Sequence, residues 1–217
     1  MSALHKSTAR DYLARVNDPE FPKAKAASLA KTWGFDYWDG DRRINYGGYR
    51  YLPGRWTPVA RALVDHYGLN SNSRVLDVGC GKGFLLLEIA KLLPGIDVRG
   101  IDISGYAIEQ SPPEIRDSLQ VGCASSLPYA GGSFDLVISI NTLHNLSNSL
   151  LERALREIDR VSARSAYICV ESFRNEAEMV NLLYWQVTCR QFCSPDDWQW
   201  WFEKCGFKGD YSFIYFE

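Results

Sequence analysis

The stretch Val75-Leu76-Asp77-Val78-Gly79-Cys80-Gly81-Lys82-Gly83 concentrates the residues of this 217-residue chain best suited to chemistry. A run of β-formers encloses an acid, and three alternating glycines follow where a helix must begin. Glycine tolerates the positive φ of a tight strand-to-helix turn. Without a Cβ it also lets a ligand lie against the backbone. A second acid, Asp102 in Gly100-Ile101-Asp102-Ile103-Ser104, stands about twenty residues beyond the last glycine, as in doubly wound nucleotide-binding units. The loop reads G-x-G-x-G rather than G-x-G-x-x-G, and Asp77 precedes its first glycine by two residues. An acid there suits a cationic group better than a pyrophosphate. Lys82 lies between glycines with no Ser or Thr after it, which argues against a P-loop.

The elements that must position these groups are legible in the spacing. Strands are expected over 74–78, 97–101, 119–122, 134–140, 166–171 and 211–216. Helices are expected over 82–93, 105–110, 149–161 and 198–204. A further helix starts at Thr57, read as its cap, with Pro58 in the first turn and Gly68 as its stop. Ser194-Pro195-Asp196-Asp197 supplies an N-cap, a first-turn proline and a capping acid for the last helix, which Gly206 ends. Strands alternating with helices predict an α/β fold, a doubly wound Rossmann-like and mostly parallel sheet. The expected organisation is residues 1–56 as an N-terminal helix and aromatic lid, then a binding domain over 57–217. Residues 173–193 form an insertion read as a helix, with Cys189 and Cys193 at i,i+4 on it.

Together the glycine loop, the acid at Asp102, and Leu127-Pro128 leading to Ser133-Phe134-Asp135-Leu136-Val137-Ile138-Ser139-Ile140-Asn141 resemble the class I S-adenosylmethionine (SAM)-dependent methyltransferases. The resemblance spans roughly 74–146. It implies SAM as cofactor, with Asp102 accepting the ribose hydroxyls, Ile103 on the adenine face and Asp77 orienting the methionine end. Gly79 and Gly81 would allow close approach, Ala124 would offer its N–H to the ring, and Asn141 would lie near the reactive methyl. The chain departs from the family pattern at Cys123, where relatives often carry an acid for the adenine amino group. A thiol is a weak acceptor, so Ser125 or a backbone carbonyl would have to substitute. The family also tends to close its sheet with a two-strand antiparallel hairpin. After Gly206 there is room for one strand.

Composition narrows the partners. Twenty-four basic and 26 acidic residues leave a net charge of −2, without the footprint of a nucleic-acid binder. No apolar run is long enough for a membrane span, and the N-terminus lacks a signal-peptide core, so a cytoplasmic protein is expected. The six cysteines lack C-x-x-C spacing and are read as reduced packing residues, with no metal expected.

The acceptor is read from the pocket walls, because methyl transfer relies on proximity and requires no strong base. His144 is a candidate catalytic base, its alternative being a packing role beneath SAM. Glu171, at the end of the fifth strand, is the second candidate catalytic group. Residues 36–56 interleave aromatics, arginines and glycines, and are expected to form a lid in which Arg43, Tyr46, Tyr49 and Arg55 face the acceptor. The alternative is a loop packed on the domain surface. Arg174 from the insertion completes the expected acceptor side. These residues point to a small polar or anionic acceptor, methylated at oxygen: a sugar, nucleotide-sugar or phosphorylated metabolite. The competing reading is a SAM-binding module without catalysis, serving as partner subunit or sensor. A monomer or a homodimer is compatible with the sequence.

Overall fold

The structure is a computed structural model and describes residues 11–47 and 49–217. Residues 7–10 of the expected N-terminal helix, and Gly48 of the aromatic segment, lie outside it. Six strands form one sheet: β1 (Arg74–Val78), β2 (Asp97–Asp102), β3 (Leu119–Val121), β4 (Phe134–Ile140), β5 (Ser162–Glu171) and β6 (Asp210–Ile214). Their order is β3-β2-β1-β4-β5-β6, and every neighbouring pair is parallel. The central strands are buried on both faces, which is why Val75, Leu76 and Val78 form a near-continuous apolar run rather than an alternating one. No antiparallel closing strand is present among the described residues; β6 docks directly and in parallel on β5.

Helices cover both faces. On one lie α8 (Asn148–Val161) and α10 (Pro195–Cys205), and their core residues include Leu151, Leu155, Ile158, Trp198 and Phe202. The i, i+3, i+4 spacing of Leu151, Ala154, Leu155 and Ile158 forms the apolar stripe that α8 presents to the sheet. On the other face lie α4 (Thr57–Tyr67) and α5 (Phe84–Leu92), packed with Val75, Leu136 and Ile138. The short helices α6 (Gly105–Glu109) and α7 (Pro113–Arg116) connect β2 to β3. Before the sheet come α1 (Tyr12–Val16), α2 (Lys23–Ala30) and α3 (Phe35–Trp38), and the insertion supplies α9 (Glu176–Trp185). A third apolar cluster joins Ala26, Ala30, Tyr37 and Ile44 to Val187 from the insertion.

Three local expectations change. Thr57 lies inside α4 rather than capping it: Trp56 is the cap residue, and the Thr57 hydroxyl donates to the Glu88 carboxylate on α5. The interhelical bond satisfies a buried acid, which outweighs a cap at an end where Pro58 already lacks an N–H to satisfy. The aromatic segment is not wholly loop, because α3 forms within it. Cys189 and Cys193 share no helix, since α9 ends at Trp185 and the chain runs on without helical structure to Ser194. By contrast, Ser194 and Asp197 make the reciprocal capping box expected of them, and Gly206 ends α10 with φ +71°.

Trp198 is fully buried, stacks on Phe202 at 5.9 Å, and donates its indole N–H to the Glu171 carbonyl at 3.0 Å. Trp201 is also buried, while Trp200 is exposed, so two of these three tryptophans are core. Trp198→Ala is expected to cost about 3–5 kcal/mol by the cavity it leaves. Trp198→Phe is expected to cost less than Ala while freeing the Glu171 carbonyl. Chemical denaturation of both variants measures this.

Candidate active site

The strand order reverses between β2 and β4 on either side of β1, which opens a crevice at the carboxyl ends of these strands. The glycine loop leaves β1 there. Gly79 has φ +84° and donates its N–H to the Ile101 carbonyl at 2.7 Å. A Cβ on Gly79 would lie 2.0 Å from the Thr142 hydroxyl, so only glycine lets the loop approach the end of β4 this closely.

Asp102 ends β2 and is buried. Its Oδ2 accepts the Gly81 N–H and its Oδ1 the Ser104 N–H, both at 2.8 Å. An ionised carboxylate has about four acceptor positions. Two are used in holding the side chain to the glycine loop and to the start of α6, which leaves two suited to a pair of ribose hydroxyls. Burial raises the Asp102 carboxyl, and the Ser104 and Gly81 N–H groups lower it in opposition. Asp77 is buried too, and its side chain makes no hydrogen bond among the described residues. Burial, then the nearby Asp102 charge, pushes its carboxyl up to about 8. A buried acid in that condition gains from a cationic ligand, and the ammonium and sulfonium of SAM are two such groups. The residues present therefore fit SAM.

Ile103 and Val121 are 54% and 58% exposed, and they sit together because Asp102 pairs with Val121. Both are exposed apolar side chains where β2 and β3 end, and Ile103 remains the residue expected at the adenine face. Ala124 is buried in the core cluster that includes Ile101. Cys123 Sγ lies 3.0 Å from Ser125 Oγ, so the hydroxyl offered as a substitute acceptor is beside the thiol it would replace. Asn141 follows β4, is exposed, and adopts φ +57°, a left-handed conformation uncommon for a non-glycine residue.

His144 lies in the short 3₁₀ turn Leu143–Asn145, and the fold brings it to Glu171 at the end of β5. His144 Nε2 and Glu171 Oε2 are 3.6 Å apart, and both residues are buried. Burial pushes the imidazole down to about 3 and the carboxyl up to about 8, so each favours its uncharged form at neutral pH. His144 Nδ1 has no hydrogen-bond partner among the described residues. Gln186 donates to Glu171 Oε2 and accepts from the Tyr46 hydroxyl at 2.6 Å. The Tyr46 oxygen in turn accepts the N–H groups of Val187 and Thr188 at 2.7 and 3.0 Å. A polar chain thus runs from the aromatic segment, through the insertion, to the two candidate catalytic groups. Gln186 was missed because no local pattern marks it.

The remaining predicted residues are distributed unevenly. Tyr49 packs against Tyr37 and Trp38, with centroids 5.2 and 4.7 Å apart. The Arg43 guanidinium is engaged by Asp41 at 2.7 Å and Glu20 at 2.6 Å, with Asp18 at 3.6 Å. Arg174 is bound by Glu178 and by Glu217 at 2.6 Å, and stacks over Tyr215. Arg55 is exposed in the turn before α4. None of the three is brought to the buried carboxyls at the strand ends. The segment around Trp38 is brought there instead: the Trp38 indole N–H donates to Ser104 Oγ at 2.8 Å, and Asp39 pairs with Lys82.

Comparison with known proteins agrees with this geometry. Residues 69–206 match a family described as the methyltransferase domain. Ajmaline N-methyltransferase of Rauvolfia serpentina is 40% identical over 106 residues, 45% of this chain and 35% of that protein. A demethylmenaquinone methyltransferase of Symbiobacterium thermophilum is 30% identical over 146 residues, 62% of this chain and 57% of that protein. The chain therefore spans between about a third and three fifths of the length of these curated relatives. Among solved structures, YcgJ of Bacillus subtilis has a TM-score of 0.56 at 22% identity, over 67% of this chain and 66% of that one. The [4+2]-cyclase SpnF has a TM-score of 0.54 at 22% identity, over 78% and 61%. At such identities the likeness is one of fold. With a family match that begins before β1 and ends at the close of α10, the chain belongs to the class I SAM-dependent methyltransferases.

Proposed function

We propose that this chain binds SAM at the carboxyl ends of β1 and β2 and methylates an oxygen of a small polar acceptor. The observation that carries the reading is the pair of buried carboxyls, Asp77 and Asp102, beside a glycine loop that admits a ligand to its backbone. When bound, SAM supplies an electrophilic methyl, which passes to the acceptor oxygen as the carbon–sulfur bond breaks and its electron pair stays on sulfur. Asp102 holds the ribose end and Asp77 the cationic amino-acid end. Trp38, Tyr46 and Tyr49 exclude water from between them. His144, neutral and with Nδ1 unpartnered among the described residues, accepts a hydrogen bond from the acceptor hydroxyl and orients it, the proton leaving to solvent, while Glu171 faces the opposite ring nitrogen.

Of the acceptors expected from sequence, a sugar hydroxyl is best supported. Nucleotide-sugars and phosphorylated metabolites would need guanidinium forks, and those of Arg43 and Arg174 are already engaged by carboxylates. Two relatives are named for ajmaline N-methylation and for demethylmenaquinone, so an amine and a quinone precursor are the next acceptors to assay.

Calorimetric titration with SAM and with its product SAH tests the reading: micromolar binding supports it, and no binding up to millimolar removes it. Asp102→Ala is expected to weaken binding at least tenfold, about the effect of losing a charge-assisted hydrogen bond to each ribose hydroxyl.

The Asp77 carboxyl, at about 8 in the folded chain, must ionise to receive a cation. SAM affinity should therefore rise from pH 6 towards 8, by at most about tenfold per pH unit, with protons released on binding. A flat profile with no buffer dependence of the heat would contradict this. The same carboxyl keeps its proton to about 8 when folded but releases it near 3.8 when unfolded. Its contribution to stability is thus present at low pH and lost as pH rises towards 8. Asp77→Asn should raise the melting temperature at pH 8 by about 2–4 °C per kcal/mol recovered, with the gain vanishing near pH 3.

His144→Ala is expected to lower kcat on the order of tenfold, the effect of losing one orienting hydrogen bond, while leaving SAH affinity within a few-fold of the parent, read by tritium transfer from SAM to a panel of sugars and phenols.

A further inference from the structure

The glycine loop carries a lysine that the chemistry above does not use. Lys82 is almost fully buried, and its ammonium lies 2.8 and 2.7 Å from the two carboxylate oxygens of Asp39. The Tyr106 hydroxyl donates to the same carboxylate at 2.9 Å. Asp39 caps the carboxyl end of α3, and the preceding residue is Trp38. The Trp38 ring lies on the second glycine of the loop, so that a Cβ on Gly81 would come within 2.8 Å of it. Its indole N–H is bound to Ser104, whose own N–H holds the Asp102 carboxylate. One side chain of the aromatic segment thus touches both places a nucleoside with an amino-acid tail must reach: the loop backbone and the surroundings of the ribose acid.

We propose that Lys82 and Asp39 are positioning residues that hold Trp38 over the cofactor loop and thereby set the rate at which SAM enters and SAH leaves. The proposal rests on SAM binding at the strand ends. An ion pair with one buried partner suits this use: the Lys82 side chain is 6% exposed and that of Asp39 23%. Its desolvation cost makes it a modest source of stability, but separating it exposes two charges at once, so it opens as a unit. The Tyr106 hydroxyl from α6 also holds the Asp39 carboxylate, so opening must break this bond together with the ion pair. Trp38 then leaves Gly81 and Ser104 together, which uncovers the loop and the Asp102 region in one step.

The test follows tritiated SAM held by the full chain and chased with unlabelled SAH on a rapid filter, beside calorimetric affinities and melting temperatures. Lys82→Met and Asp39→Asn are expected to speed dissociation on the order of tenfold, with a smaller change in Kd because entry speeds up as well. The reversed pair, Lys82→Asp with Asp39→Lys, should restore much of the slow exchange, which a general loss of packing would not. Trp38→Phe leaves the ion pair in place and is expected to speed exchange likewise. It keeps the idea testable should the charge variants fold poorly. Dissociation within twofold of the parent in Trp38→Phe and in a folded charge variant would overturn the proposal. So would complete loss of SAM binding by a charge variant with an unchanged melting temperature, because the pair would then belong to the binding site itself. If the parent chain binds neither SAM nor SAH, it is the cofactor reading that fails.

Discussion

The site depends on how one carboxylate is held. Asp102 sits at the end of β2, where its two oxygens take the N–H of Gly81 from one side and that of Ser104 from the other. These bonds tie the β1 loop to the start of α6 across the sheet. They also oppose the burial that raises its carboxyl. The parallel pairing of β1 with β2 makes this possible, since it ends both strands at the same edge of the sheet. Without that register the glycine loop would have no acid to meet.

A second constraint is the density of buried acids at that edge. Asp77 and Glu171 are both pushed up to about 8, chiefly by desolvation. A fold optimised for stability alone would not bury carboxyls in this way. Placing them at the crevice trades stability for a site that favours a cation, the usual compromise where function needs a destabilised group. The aromatic segment completes the arrangement. Its rings pack on one another and on the insertion, with Tyr46 and Trp185 centroids 5.6 Å apart, so residues before the sheet and after β5 cover a crevice built by the strands between.

Much of the fold was legible because its signals are local. Strands such as Arg74–Val78 and Phe134–Ile140 follow from runs of β-branched and apolar residues, the first stopped by Gly79 and the second by Asn141. The capping box at Ser194 and the stop at Gly206 are short-range hydrogen-bonding patterns that the structure repeats. Thr57 is the counterexample: its hydroxyl had a local use as a cap and a distant one at Glu88, and the distant one prevailed. Arg43 and Arg174 illustrate the same limit. An arginine beside aromatics resembles an anion site until the acids that engage it are located, and Glu217 is forty-three residues from Arg174.

By itself, then, the sequence determined the order of the six strands, the helices α4, α5, α6, α8 and α10 between and around them, the glycine loop and the two strand-end acids. Each of these is encoded within a few residues or at a fixed motif spacing. Only the tertiary structure decided that Trp38 lies on Gly81, that Lys82 pairs with Asp39, and that Tyr46 reaches Glu171 through Gln186. Those contacts join residues tens of positions apart. They arise because the sheet brings its carboxyl ends to one edge, where buried polar groups must find partners wherever the chain supplies them.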